Sequence, residues 1–150
     1  MSSMFSPEPA SRRIVLPYQA VVVHGLADAV AALGEALPVT LLSAPGAASF
    51  VGAGWWRALI ARARAAHPHT QCQDVLDCAD APGHAMAAIR LGQAILVLDP
   101  ACPAFPRVAT LATVLPTRPP ALDLAERGAA RHLRAWLSQQ PEDDSGATLR

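Results

Sequence analysis

The sequence contains neither lysine nor asparagine, and all twelve of its basic residues are arginine. Without lysine the chain forms no lysine Schiff base with a carbonyl substrate or with pyridoxal phosphate, and it has no Walker A phosphate loop. Without asparagine it has no acceptor for N-linked glycosylation. The twelve basic residues are matched by twelve acidic ones, so no basic excess indicates binding to nucleic acid.

Cysteine is also scarce, with only Cys72, Cys78 and Cys102 and no CxxC pair. Disulfide scaffolds are short, secreted and usually even in cysteine number, so we predict reduced thiols in the cytoplasm. The sequence has no apolar run long enough for a membrane span and no signal-peptide pattern at its start, so we predict no membrane association. The 32 alanines, together with the missing lysine and asparagine, match the codon bias of a GC-rich bacterial genome.

The 150 residues fit one domain. We predict disorder in residues 1–13 and 141–150, which are rich in serine, proline and charged residues, and one α/β domain over residues 14–140. Short apolar runs alternate there with helical patterns. Strands are predicted at 20–23, 39–42, 74–78, 94–98 and 113–115, and helices at 26–37, 54–66, 84–91, 105–110 and 122–137.

Near-continuous apolar strands joined by helices indicate a mainly parallel sheet with helices on both faces. We therefore predict a flavodoxin-like open sheet of about five βα units, with a half-barrel as the alternative. Residues 85–100, AMAAIRLGQAILVLDP, resemble a helix–glycine–strand–proline segment of keto-deoxy-phosphogluconate aldolase-type (β/α) barrels. The resemblance implies βα packing. It carries no activity to this chain, because those aldolases depend on a Schiff-base lysine.

Parallel sheets bind ligands at the carboxyl ends of their strands, here called the carboxyl rim. Five residues of the predicted rim have the side chains of acid–base or nucleophilic catalysts: His24, Asp77, Asp80, Asp99 and Cys102. Cys102 stands near a predicted helix start, where the helix dipole would lower its pKa and make it the better thiol nucleophile. Four more residues are predicted to bind a ligand: Ser43, Gly46, Cys78 and Arg118.

A glycine-rich loop that includes Gly46, Gly52 and Gly54 precedes the second predicted helix. Backbone amides at a helix start bind phosphates and carboxylates, so we predict a small anionic ligand. No GxGxxG motif follows the first strand, and no cofactor is predicted.

A zinc site built from His24, Cys78, Asp99 and Cys102 is a further alternative, as is a cluster at 67–72, but neither has the close ligand spacing of known sites, and no metal is predicted. A phospho-acceptor receiver domain is excluded, because such domains need an acidic pair after the first strand and a lysine after the fifth.

Three functions remain open from the sequence. The first is binding of a small molecule or anion at the carboxyl rim, and the second is a non-catalytic interaction module that forms homo-oligomers. The adjacent Trp55 and Trp56 either both face the core or form a dimer contact, because aromatic side chains are enriched in interfaces. The third is a small enzyme with Cys/His/Asp acid–base chemistry.

Overall fold

The computed structural model describes residues 14–141, so the predicted disorder at 1–13 and at 142–150 lies outside the described residues. Six strands form one sheet: β1 (Ala20–Val22), β2 (Val39–Leu42), β3 (Cys72–Asp77), β4 (Ile95–Val97), β5 (Thr113–Leu115) and β6 (Ala121–Asp123). Five α-helices accompany them: α1 (Leu26–Gly34), α2 (Gly52–Ala66), α3 (Pro82–Arg90), α4 (Phe105–Ala109) and α5 (Leu133–Leu137). Within 14–141 no helix is long and apolar enough to cross a membrane.

All five strand pairings are parallel, and the strand order is β5-β4-β3-β2-β1-β6. The predicted class, one α/β domain with an open parallel sheet, is confirmed. Strands β1 to β5 lie in the order of the chain, whereas flavodoxin has the order 2-1-3-4-5. The strands of a half-barrel also follow the order of the chain, so the strand order is one feature that this sheet shares with the alternative architecture.

Two apolar clusters lie on opposite faces of the sheet. The first contains every buried apolar residue that the described helices contribute, among them Leu33, Trp56 and Ile60. The second contains strand residues and Leu16, with no helical residue. Right-handed crossovers that always advance in one direction along a sheet place their helices on the same face. The described helices therefore pack on one face, where the sequence predicted helices on both.

The sheet is curved, because the segment from 116 to 120 must connect its two edges. Six residue steps separate the end of β5 from the start of β6 and reach at most about 22 Å. Five strand spacings between β5 and β6 amount to about 24 Å in a flat sheet. Arg118 of this segment bonds Asp77, which alternation places on the side of Val75 in the second cluster. The sheet is thus concave toward that second face, and residues 116–120, the crossing segment, run over it.

The predicted helix at 122–137 is wrong in its first half. Residues Ala121–Asp123 pair with β1 instead, and the Leu124 amide donates to the Val22 carbonyl. Pro119 and Pro120 keep the approach extended, since proline disfavours helix in the residue before it. Gly128 then adopts a φ of +81° before a 3₁₀ turn at Ala129–His132, so only α5 is helical. The apolar periodicity that resembled one helix belongs to a strand, a 3₁₀ turn and a helix, and Leu122, Leu133 and Leu137 are among its members that pack in or against the first cluster.

Candidate functional site

His24, the first residue of the carboxyl rim after β1, is held by two carboxylates. Its Nε2 lies 2.7 Å from Oδ1 of Asp123 at the end of β6, and its backbone amide donates to Oδ2 of Asp28 at 2.9 Å. Burial alone would raise the pKa of Asp123, but hydrogen bonds from the Ala125 amide and the His24 ring hold it below its usual value. A half-exposed imidazole is therefore fixed beside an ionised carboxylate. Asp123 was not among the predicted site residues, because the apolar pattern assigned residue 123 to a helix.

Asp77 and Ser43 form a second group, at the centre of the sheet. Asp77 is 3% exposed and its Oδ2 accepts from Nη1 of Arg118 at 2.7 Å, while its Oδ1 accepts from the Ala79 amide at 2.8 Å. Ser43 Oγ accepts from the Asp77 amide at 2.9 Å, and Ser43 O accepts from Nη2 of Arg118 at 3.0 Å. These contacts anchor the crossing segment to β2 and β3. Every polar group in them already has a partner, which makes this group an internal clamp.

Asp80, Asp99 and Cys102 form a third group, in the loops after β3 and β4. Cys102 Sγ donates to the Asp80 carbonyl at 3.3 Å, and Asp99 Oδ1 accepts from the Ala101 amide at 2.9 Å. The loss of solvent around the thiol and the charges of Asp99 and Asp80 raise the pKa of Cys102. The prediction of a lowered pKa is wrong, because α4 starts only at Phe105 and has five residues, so its dipole is small.

Two of the predicted ligand-binding residues, Cys78 and Gly46, lie in surroundings that indicate a structural role. Burial, with the charge of Asp77, raises the pKa of Cys78 to about 12, and its side chain is part of the first apolar cluster. Cys78 is therefore a buried thiol and not a nucleophile at neutral pH. Gly46 has a φ of +66°, a conformation that suits glycine, and it turns the chain into a 3₁₀ turn at Ala47–Ser49.

A small cavity opens on the carboxyl rim between β1, β2 and the start of α2. Its volume is about 60 Å³. The lining is mostly apolar, with two polar members, and consists of Val23, His24, Ser43, Ala44, Ala47, Phe50, Val51, Trp55 and Trp56. We call it the rim pocket. Phe50 is 68% exposed and Trp55 is 43% exposed, whereas Trp56 is fully buried.

The nine predicted site residues do not meet in one place. Of these nine, only His24 and Ser43 line the rim pocket. The three groups described above divide most of the others among separate contacts. As the sequence predicted, His24 and Ser43 lie on the carboxyl rim, after β1 and β2. The sequence did not predict the aromatic mouth, because both tryptophans are compatible with a core-facing position and Phe50 stands in a loop.

Sequence reasoning also missed a buried polar cluster around Asp74 in β3, on the face that carries the helices. Asp74 accepts from Trp56 Nε1 at 2.9 Å, from Gln93 Nε2 at 2.9 Å and from Arg57 Nη1 at 3.1 Å. Arg64 reaches the same carboxylate at 3.5 Å. Both arginines belong to α2. All these partners belong to the fold, so we assign this cluster to stability.

Among residues 14–141 no three histidine, cysteine, aspartate or glutamate side chains come close enough to hold a metal ion, so this part of the chain assembles neither zinc alternative. Compared with models of known protein families and with curated proteins, the chain matched none. The segment that resembles the aldolase-type barrels forms most of α3, a turn with Gly92 at φ +91°, and β4. This local structure agrees with βα packing, and the family resemblance itself stays a prediction.

Proposed function

We propose that this protein binds a small organic molecule in the rim pocket. The observation that carries the proposal is the exposure of Phe50 and Trp55 at the mouth of a cavity whose polar wall includes His24. Ligand sites are typically concave and apolar, with a few placed polar groups, and lie at the carboxyl ends of parallel strands. The rim pocket combines these properties in the described part of the chain.

The dimensions of the pocket define how a ligand would bind. A cavity of about 60 Å³ has room for a few water molecules or one small chemical group. The remainder of the ligand would lie outside and stack on Phe50 and Trp55. His24 supplies the directed hydrogen bond, because Asp123 fixes its ring, whereas Ser43 Oγ is already engaged with the Ala44 carbonyl and the Asp77 amide.

A ligand-observed NMR screen of small organic molecules tests this proposal. Compounds that bind the native protein should lose at least half of their saturation-transfer signal with Trp55→Ala and with Phe50→Ala. Leu111→Ala is the matched control, because Leu111 is 53% exposed and lies in the turn before β5, outside the pocket lining. The proposal is wrong if no compound binds, or if all that bind do so equally well to Trp55→Ala and Leu111→Ala.

A homo-oligomeric interaction module is the second candidate, favoured by the same exposed aromatic residues. Leu26, at the start of α1, is 37% exposed and is a further exposed apolar side chain. Sedimentation velocity at high concentration separates the two candidates. A dimer that dissociates with Phe50→Ser supports the module, and a monomer at every concentration removes it.

Acid–base catalysis has one assembled group in the described residues, the His24–Asp123 pair. The pair has no side-chain nucleophile to activate for covalent catalysis, since Ser43 Oγ is engaged elsewhere and the Cys78 thiol is buried. We therefore rank binding above catalysis. We also propose a bacterial, cytoplasmic setting, in keeping with the composition and the three free thiols.

A further inference from the structure

We infer that the ligand of the rim pocket is an organic cation, such as a substituted ammonium ion; this inference rests on the proposed function. The charge lies beside the polar wall of the pocket. His24 lines the cavity and contacts the carboxylates of both Asp28 and Asp123. Among residues 14–141 neither carboxylate has an arginine within ion-pair distance. Two carboxylates without an arginine partner therefore lie directly behind His24, next to the cavity and outside its lining.

Two further carboxylates of the carboxyl rim add to the negative charge. Asp80 and Asp99 lie in the loops after β3 and β4, and the ion pairs of the described residues include neither of them. The arginine of the crossing segment, Arg118, is committed to Asp77 and to the Ser43 carbonyl. Its charge is paired within the internal clamp, and at longer range it also helps to lower the pKa of Asp123.

The aromatic mouth suits the same ligand. A cation over the face of a tryptophan or phenylalanine is attracted by the ring quadrupole, and substituted ammonium ions are the ligands that aromatic surfaces recognise in this way. Phe50 and Trp55 both line the pocket and both are exposed to solvent, so their rings are accessible to such a ligand.

The sequence predicted an anionic ligand from the glycine-rich loop before α2, and the start of this helix does favour an anion. The helix dipole is, however, equivalent to only about half a positive charge. The two carboxylates on His24 carry two full negative charges, so the electrostatic balance favours a cation.

The test compares three probes of one shape in a titration of the native, ¹⁵N-labelled protein at neutral pH and low salt. The probes are choline, its neutral carbon isostere neohexyl alcohol, and the anion of tert-butylacetic acid. The indole N–H signal of Trp55 reports binding, because Trp56 and Trp136 donate their indole N–H groups inside the protein. Choline should bind at least fivefold more tightly than the neutral isostere, and the anion should bind most weakly.

Variants assign the preference to the charges and rings. Asp28→Asn should weaken choline binding about two- to tenfold and leave the neutral isostere unchanged, and Trp55→Ala should weaken choline binding about two- to thirtyfold. Glu35→Gln is the matched control, since Glu35 follows the far end of α1 and pairs with Arg134. A neutral isostere that binds as tightly as choline overturns the cation while supporting a ligand pocket. Binding of none of the three probes also overturns the cation, and the broader screen then decides the proposed function separately.

Discussion

The ion pair between Asp77 and Arg118 should be one of the most sensitive contacts of the fold, because it fixes the crossing segment onto the concave face of the sheet. Asp77→Asn keeps the shape of the side chain and removes its charge, which leaves the Arg118 guanidinium partly buried without a counter-ion. Breaking a buried pair from one side costs about 3–5 kcal/mol. The Arg118 side chain is 26% exposed and that of Asp77 is 5% exposed, so solvent compensates in part. We expect a loss of about 2–4 kcal/mol of unfolding free energy.

Urea denaturation followed by circular dichroism measures this loss. In thermal unfolding, each kcal/mol lowers the melting temperature of a domain of this size by about 3 °C, so the melting temperature should fall by about 6–12 °C. Arg134→Ala is the matched control, because the Arg134–Glu35 pair has side chains that are 70% and 31% exposed. Such an exposed pair contributes less than about 1 kcal/mol.

A double-mutant cycle shows whether the pair itself is responsible. Arg118→Gln alone leaves the Asp77 carboxylate buried without its partner, so it should be about as harmful as Asp77→Asn. The double variant should lose less than the sum of the two single losses, by at least about 1 kcal/mol, because contacting residues couple. Strictly additive losses, or single losses as small as that of Arg134→Ala, would refute the role of the crossing segment.

Further predictions concern the thiols, the Asp74 cluster and a glycine. The pKa of Cys78 is raised from 9.0 to about 12, so above about pH 9 the folded chain keeps a proton that the unfolded chain releases. The unfolding free energy should therefore fall as the pH rises above about 9. In denaturation curves of Cys78→Ala this fall should be less steep. Iodoacetamide should label Cys102 more slowly than free cysteine at neutral pH, and faster labelling by mass spectrometry would contradict its raised pKa. Asp74→Ala should cost about 3–5 kcal/mol in urea denaturation and Arg64→Ala less than about 1 kcal/mol, and equal losses would disprove the assigned roles. Gly46→Ala, at φ +66°, should lower stability by about 1–2 kcal/mol, and an unchanged midpoint would contradict this.

The alternation of strands and helices could be predicted because each element buries its own apolar pattern. The β-branched run before His24 and the run ILVL before Asp99 form buried strands, as expected. The strand order could not be predicted from local pattern, because it depends on which crossover advances in which direction. The sixth strand was missed for a related reason. Three residues are too few for the apolar pattern to distinguish a strand from a helix, and the partner strand β1 is about a hundred residues away in the chain.

The candidate site was predictable only in its position. A residue that follows a parallel strand lies on the carboxyl rim, and His24 does so. Which side chains converge depends on distances between loops. Asp123 reaches His24 from the edge strand β6, while Asp77 pairs with Arg118 of the crossing segment. The adjacent tryptophans show the same limit, since helical spacing allows both to face the core and only the packing of α2 separates the buried Trp56 from the exposed Trp55.

The central claim, that a small organic molecule binds in the rim pocket, is tested most directly by mapping the tightest binder of the screen on the backbone amide spectrum. We predict chemical-shift changes that concentrate at residues 23–28 and 43–56, the two segments that surround the pocket. Amides of the turns around Leu91 and Leu111, which carry exposed apolar side chains away from the pocket, should not move. Changes centred on those turns, or spread evenly over the surface, would contradict the claim.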